Sequence, residues 1–174
     1  MFAEKPVFPN IMLIAGTGRN VGKTELVCQL ISHFSKTQAI IGLKVTNHFH
    51  DDEAGTFALR VESNNVSQKD TSRMLRAGAS KVYYCQSDKE NLQKAFNKFL
   101  QQINPDSMVI CESGALFDLI QPGIFIMVKN SKLPVLKPGA DKFLEMADLI
   151  VTSDGEAFDI CPEQLNWPAI TSRF

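Results

Sequence analysis

One short stretch limits what this chain can fold into. The apolar run Ile11 to Ala15 is followed at once by Gly16-Thr17-Gly18-Arg19-Asn20-Val21-Gly22-Lys23-Thr24, and then by an amphipathic segment. The apolar run reads as a buried strand, and the residues after Thr24 place Leu26, Val27, Leu30, Ile31 and Phe34 on one face at helical spacing. A glycine-rich turn between strand and helix lets the backbone curl so that successive amides face inward, with the positive end of the helix behind them. Lys23 adds a full charge, and Thr24 adds a hydroxyl suited to a magnesium ion. The stretch is therefore expected to cradle phosphates, with a nucleoside triphosphate, GTP or ATP, as the natural guest. The candidate nucleotide contacts are Gly16, Thr17, Gly18, Arg19, Asn20, Val21, Gly22, Lys23, Thr24 and Glu25. The usual spacing puts a glycine five residues before Gly22, and here that place is Thr17 with a glycine on either side.

The remaining chain alternates in the same manner. Ala39–Val45, Lys81–Cys85, Met108–Glu112, Gly123–Val128 and Asp148–Thr152 read as strands, with Phe57–Glu62 as a further short one. Helices are predicted over Glu25–Lys36, Lys69–Arg76, stopped by Gly78, Lys89–Ile103 and around Lys142–Met146. Apolar strands separated by helices imply an α/β fold with a mainly parallel sheet and helices on both faces. At 174 residues, one domain spanning 1–174 is expected.

In such a sheet, ligands bind beyond the carboxyl ends of the strands. Three stretches far apart in sequence reach that edge: the glycine-rich loop, the segment Lys44 to Asp52 and the segment Glu112 to Gly114. Glu112 closes an apolar strand, where a carboxylate without a partner is costly, and a magnesium ion held with a triphosphate would give it one. The metal candidates are Thr24, Asp51, Asp52 and Glu112, and the catalytic candidates are Lys23, Lys44 and Asp52. Lys44 would stabilise charge developing during phosphoryl transfer, or would be a surface lysine. His48 and His50 lack a third soft ligand nearby, so polar contacts with a ligand are favoured over a transition metal. Asp70 is expected near the start of its helix as part of a capped end, with Arg73 facing either the nucleotide pocket or a subunit interface.

Composition excludes several classes. Lys and Arg number 18 against 19 Asp and Glu, a net charge of -1 with no long run of like charge, so nucleic acid is not an expected partner. No apolar stretch approaches the ~20 residues of a membrane span, and no export-signal layout opens the chain, which makes the cytoplasm the expected compartment. Cys28, Cys85, Cys111 and Cys161 form no metal-ligand spacing and read as reduced thiols, three of them in segments that should be buried.

From about Ile11 to Gly114 the chain resembles the small GTP-binding adaptor proteins of molybdopterin-guanine dinucleotide biosynthesis. The likeness lies in the loop GTGRNVGKT, the lysine-led segment LKVTNHFHDD, the helix KDTSRMLRAGA and the strand VICES that ends in glutamate. The loop itself is similar to that of dethiobiotin synthetase, which also carries threonine at the place of Thr17. Both families belong to one branch of P-loop proteins, so the resemblance implies a P-loop NTPase fold. It also implies Lys23 and Thr24 as phosphate and magnesium residues, Lys44 as the second-strand lysine and Glu112 as a magnesium carboxylate. A homodimer and a partner enzyme of cofactor biosynthesis are implied in the same way. Where the adaptor family follows its glutamate with glycine-phenylalanine-lysine, this chain has Ser113-Gly114-Ala115, and it lacks the longer C-terminal half of the synthetase and any Asn-Lys-x-Asp guanine-reading motif. Three readings stay open: a slowly hydrolysing adaptor, a small ATP-dependent ligase or kinase acting on an acidic metabolite, and an interaction module on a P-loop scaffold.

Overall fold

A computed structural model describes residues 4–47 and 57–167. Its centre is the strand β1 (Val7–Gly16), whose second half is fully buried because it runs between two parallel neighbours and under helices on both faces. After it come α1 (Lys23–Phe34), β2 (Ile40–Thr46), β3 (Phe57–Val61), α2 (Asp70–Arg76), β4 (Lys81–Ser87), α3 (Leu92–Leu100), β5 (Met108–Glu112), β6 (Gln121–Asn130), α4 (Ala140–Met146) and β7 (Leu149–Ser153). The strands form one seven-stranded sheet in the order β3-β4-β2-β5-β1-β6-β7. Every pairing is parallel except β3 with β4, so the expected α/β architecture with a mainly parallel sheet is what the chain adopts.

Alternating side chains split the core into two layers. On one face Met12, Ile14, Ile40, Val82 and Ile110 pack with Leu26, Leu30 and Ile31 of α1 and Met74 of α2. On the other, Leu13, Leu43, Tyr83 and Cys111 pack with Phe96 and Phe99 of α3, and Phe143 of α4 closes the edge of that layer. Cys85 and Cys111 are buried, Cys28 is half-buried and Cys161 is exposed, and all four are free thiols.

Several boundaries differ from the sequence expectation for local reasons. The helix expected over Lys89–Ile103 is shorter, because Asp88 Oδ1 accepts the amide of Asn91 at 2.7 Å and makes a turn of its start. At its end Gln102 and Ile103 bond back only three residues, to Phe99 and Leu100. Strand β6 begins at Gln121, two residues before the expected Gly123, because the Gln121 amide reaches Pro6 O at 2.9 Å and the pairing with β1 starts there. Asp70 does not cap α2: the N-cap is Lys69 with no side-chain cap, and the Asp70 carboxylate is turned to Lys44. Arg73 faces Glu25, with Nη2 2.6 Å from the carboxylate.

Candidate functional site

The loop after β1 is shaped by what a side chain would hit. A Cβ on Gly16 would lie 2.7 Å from Val21 Cγ2 and 2.8 Å from the Lys23 chain, so the turn closes only around glycine. Gly22 has φ +102, a left-handed conformation that L side chains rarely adopt, and Asn20 also has positive φ. Val21 is buried and anchors the loop to the α1 layer of the core. Among the described residues, no amide from Asn20 to Glu25 donates to a backbone carbonyl, and the first helical bond is Leu26 N to Gly22 O at 3.0 Å. Among the described residues six consecutive amides thus have no backbone acceptor, at the positive end of a three-turn helix.

Thr17 lies deeper than its neighbours. Its amide bonds Val128 O at 2.9 Å, its carbonyl accepts the Lys137 amide at 2.8 Å, and its buried hydroxyl has no hydrogen-bond partner among the described residues. Lys23 folds back over the loop and donates from Nζ to Gly18 O at 2.7 Å. Thr24 Oγ1 donates to Glu112 Oε2 at 2.8 Å. The other oxygen of Glu112 accepts from Lys44 Nζ, which also pairs with Asp70 Oδ2 at 2.9 Å. Glu112 is 3% exposed, and these two partners satisfy both of its oxygens.

The strand register brings these groups together. Lys44 on β2 and Ile14 on β1 both lie opposite Glu112 on β5, which places the carboxylate beside the loop that β1 opens into. A cavity of about 630 Å³ opens there, over the carboxyl ends of the strands. Gly16, Arg19, Lys23, Lys44 and Glu112 line its polar side, while Leu92, Leu119 and Phe143 form an apolar wall.

Lys23 and Lys44 share the field of one buried carboxylate, and their proton affinities part company. Burial pushes Lys23 below its ordinary value; the nearby Glu112 opposes this, and Lys44 and Lys137 add to it. Burial also pulls on Lys44, but the Glu112 carboxylate with its hydrogen bond, helped by Asp70, outweighs that and holds Lys44 above its ordinary value. Partial burial lowers the more exposed Lys137 as well.

The structure therefore brings together Gly16, Lys23, Thr24, Lys44 and Glu112, as expected from the strand-end argument. It turns Glu25 toward Arg73, away from the loop. Asp51 and Asp52, with His48 and His50, lie outside the described residues. Two members were missed from sequence. The sequence marks Asp70 only as a helix-terminal residue and gives Lys137 no motif, although its Lys137-Pro138-Gly139 turn follows β6 at the same edge of the sheet. Lys137 Nζ passes 3.4 Å from where a Cβ would stand on Gly114, over the Glu112 end of the site.

The donor chemistry fits magnesium in one specific way. Thr24 and Glu112 offer adjacent hard oxygens, but among the described residues no group of three or more His, Cys, Asp or Glu could hold a metal. Hard oxygen donors of this kind suit magnesium, which takes one or two protein ligands beside phosphates and water. No helix among the described residues is long and apolar enough to cross a membrane. Comparison with protein-family models gives no match for the chain, and neither does comparison with curated protein sequences, so its likeness to the two families above rests on the motif residues alone.

Proposed function

We propose that this chain is a nucleoside-triphosphate-binding protein with the P-loop NTPase fold, which takes GTP or ATP with magnesium and hydrolyses it slowly. The observation that carries this reading is the run of amides from Asn20 to Glu25 that have no backbone carbonyl partner among the described residues, set against the Thr24–Glu112 hydrogen bond. An anion fits the first and a hard cation the second. In this reading the amides and Lys23 hold the outer phosphates, and the Lys23 ammonium leaves Gly18 O for a phosphate oxygen. Lys44 stabilises charge that grows on the terminal phosphoryl group as it is transferred. Thr24 and Glu112 orient the cation shell, and magnesium, when bound with the nucleotide, neutralises the bridging oxygens.

The motif likeness supports a cytoplasmic, homodimeric adaptor in molybdopterin-guanine dinucleotide biosynthesis, whose hydrolysis is coupled to docking on a partner enzyme. One structural observation favours a second reading, a small ATP-dependent ligase or kinase acting on an acidic metabolite. The cavity continues past the phosphate loop to the apolar wall of Leu92, Leu119 and Phe143, which gives room for a second substrate beside the nucleotide.

Thermal shift with ATP and GTP, each with and without magnesium, tests the common core. A rise in Tm that needs both nucleotide and magnesium is expected, and no rise with either nucleotide removes the proposal. Turnover then separates the branches: stimulation by a protein partner marks the adaptor, and stimulation by a carboxylic metabolite marks the enzyme.

A further inference from the structure

Lys137 brings an unpartnered charge into the main cavity. Lys44 there is paired with Glu112 and Asp70, and Lys23 rests on Gly18 O, whereas the Lys137 ammonium has no hydrogen bond or ion pair among the described residues. The neighbouring acids do not claim it. Glu112 is engaged by Thr24 and Lys44, Asp88 accepts from the Asn91 amide, and among the described residues no ion pair joins Asp118 to Lys137.

The fold fixes where this ammonium stands. The Lys137 amide donates to Thr17 O at 2.8 Å and its carbonyl accepts the Ala140 amide at 3.1 Å, so the turn after β6 is pinned to the start of the phosphate loop. Its Nζ lies 3.4 Å from where a Cβ would stand on Gly114, just past Glu112 at the end of β5. Because β1 runs between β5 and β6, the side chain leaves the β6 side of the sheet and ends on the β5 side, across the mouth of the loop. Lys23 feels the approach. Burial is the larger cause of its lowered pKa, and the Lys137 charge adds to it. An anion received between the two ammonium groups offsets that repulsion.

We propose that Lys137 is a phosphate-binding residue supplied by the turn between β6 and α4, which contacts the terminal phosphoryl group of the bound nucleoside triphosphate at the Gly114 end of the cavity. The assignment of a nucleotide to this cavity rests on the function proposed above. There the loop amides and Lys23 hold the outer phosphates, and Thr24 with Glu112 takes the cation of the bridging oxygens, so a charge beside Gly114 meets the last phosphoryl group. A diphosphate ends short of it. Lysine suits the role, since an ammonium on a flexible stem binds phosphate as a point charge and needs no paired geometry.

Comparing triphosphate with diphosphate tests the contact. The full chain is titrated calorimetrically, with magnesium, against the β,γ-imido analogues of ATP and GTP and against ADP and GDP. The Lys137 side chain has no partner to lose and its backbone bonds survive substitution, so Lys137→Ala keeps the fold, which a melt without nucleotide checks. This variant should weaken the triphosphate analogue about tenfold and leave the diphosphate unchanged, and Lys137→Arg, which keeps the charge, should recover most of the loss. Lys23→Ala should weaken both. Equal loss of the two nucleotides in Lys137→Ala, or loss of neither, overturns the assignment and leaves the nucleotide site standing. Absence of any nucleotide binding by the unsubstituted protein overturns the proposed function and this assignment with it, so the two failures are told apart by that first titration.

Discussion

Thr24 donates its hydroxyl hydrogen to Glu112 at 2.8 Å, tying the first turn of α1 to the end of β5 across 88 positions of sequence. The same carboxylate holds Lys44, which is bound in turn to Asp70. Glu112 is thus the common partner of the Thr24 hydroxyl and the Lys44 ammonium, the two groups that the proposed function sets beside a triphosphate. Lys44 supplies the positive charge that the buried carboxylate needs.

Glu112→Gln removes that charge but keeps the side-chain shape. Loss of a charge-assisted hydrogen bond should cost about 1.5 to 3 kcal/mol of stability, toward the low end because Lys44 retains Asp70. Urea unfolding measures this. Nucleotide affinity should fall less than magnesium-dependent turnover, and equal loss of both would make Glu112 a structural residue only. Thr24→Ala should show strong coupling with it in a double-mutant cycle.

Lys23 is disposed to lose its proton early. Because burial depresses its pKa below the ordinary 10.5, its charge is lost as pH rises through that lowered value. The charged form costs folding stability, so this residue makes the apo protein more stable as pH climbs through the same window. Nucleotide affinity runs the other way and should weaken. Calorimetric titration from pH 7 to pH 10 should show the fall, and Lys23→Arg should flatten it, since guanidinium keeps its charge. Lys23→Ala should lower affinity at pH 7 by about 1.5 to 3 kcal/mol with the fold retained.

Gly16→Ala forces a methyl to within 2.8 Å of Val21 and of the Lys23 stem. Overpacking of this kind costs about 1 to 3 kcal/mol, and here the loop is the part that yields. The expected signature is a loss of nucleotide affinity larger than the loss of folding stability, seen by comparing titration with urea midpoints.

The thiols should separate cleanly in alkylation. Burial pushes Cys28 and Cys85 up to about 11 and Cys111 well above its ordinary value, whereas Cys161 is exposed. At pH 8, mass spectrometry should find Cys161 labelled first, with Cys85 and Cys111 labelled only on unfolding. Fast labelling of Cys111 in the native protein would contradict the packing of β5 described above.

Much of this was legible in residue order. The strand Met108–Glu112 has the bounds its apolar pattern predicts, and the glycine-rich turn, Lys23, Thr24, Lys44 and Glu112 follow from motif spacing and from the rule that strand ends meet at one edge. Periodicity and turn chemistry are local, so a sequence states them directly. It does not state which strand lies beside which. Only the order β4-β2-β5-β1 sets Lys44 against Glu112, and only the seating of α2 brings Asp70 to Lys44. Only the return of the chain after β6 sets Lys137 beside Gly114. Those choices belong to the packing of the two core layers as a whole, because each ion pair joins elements whose separation in sequence carries no local signal.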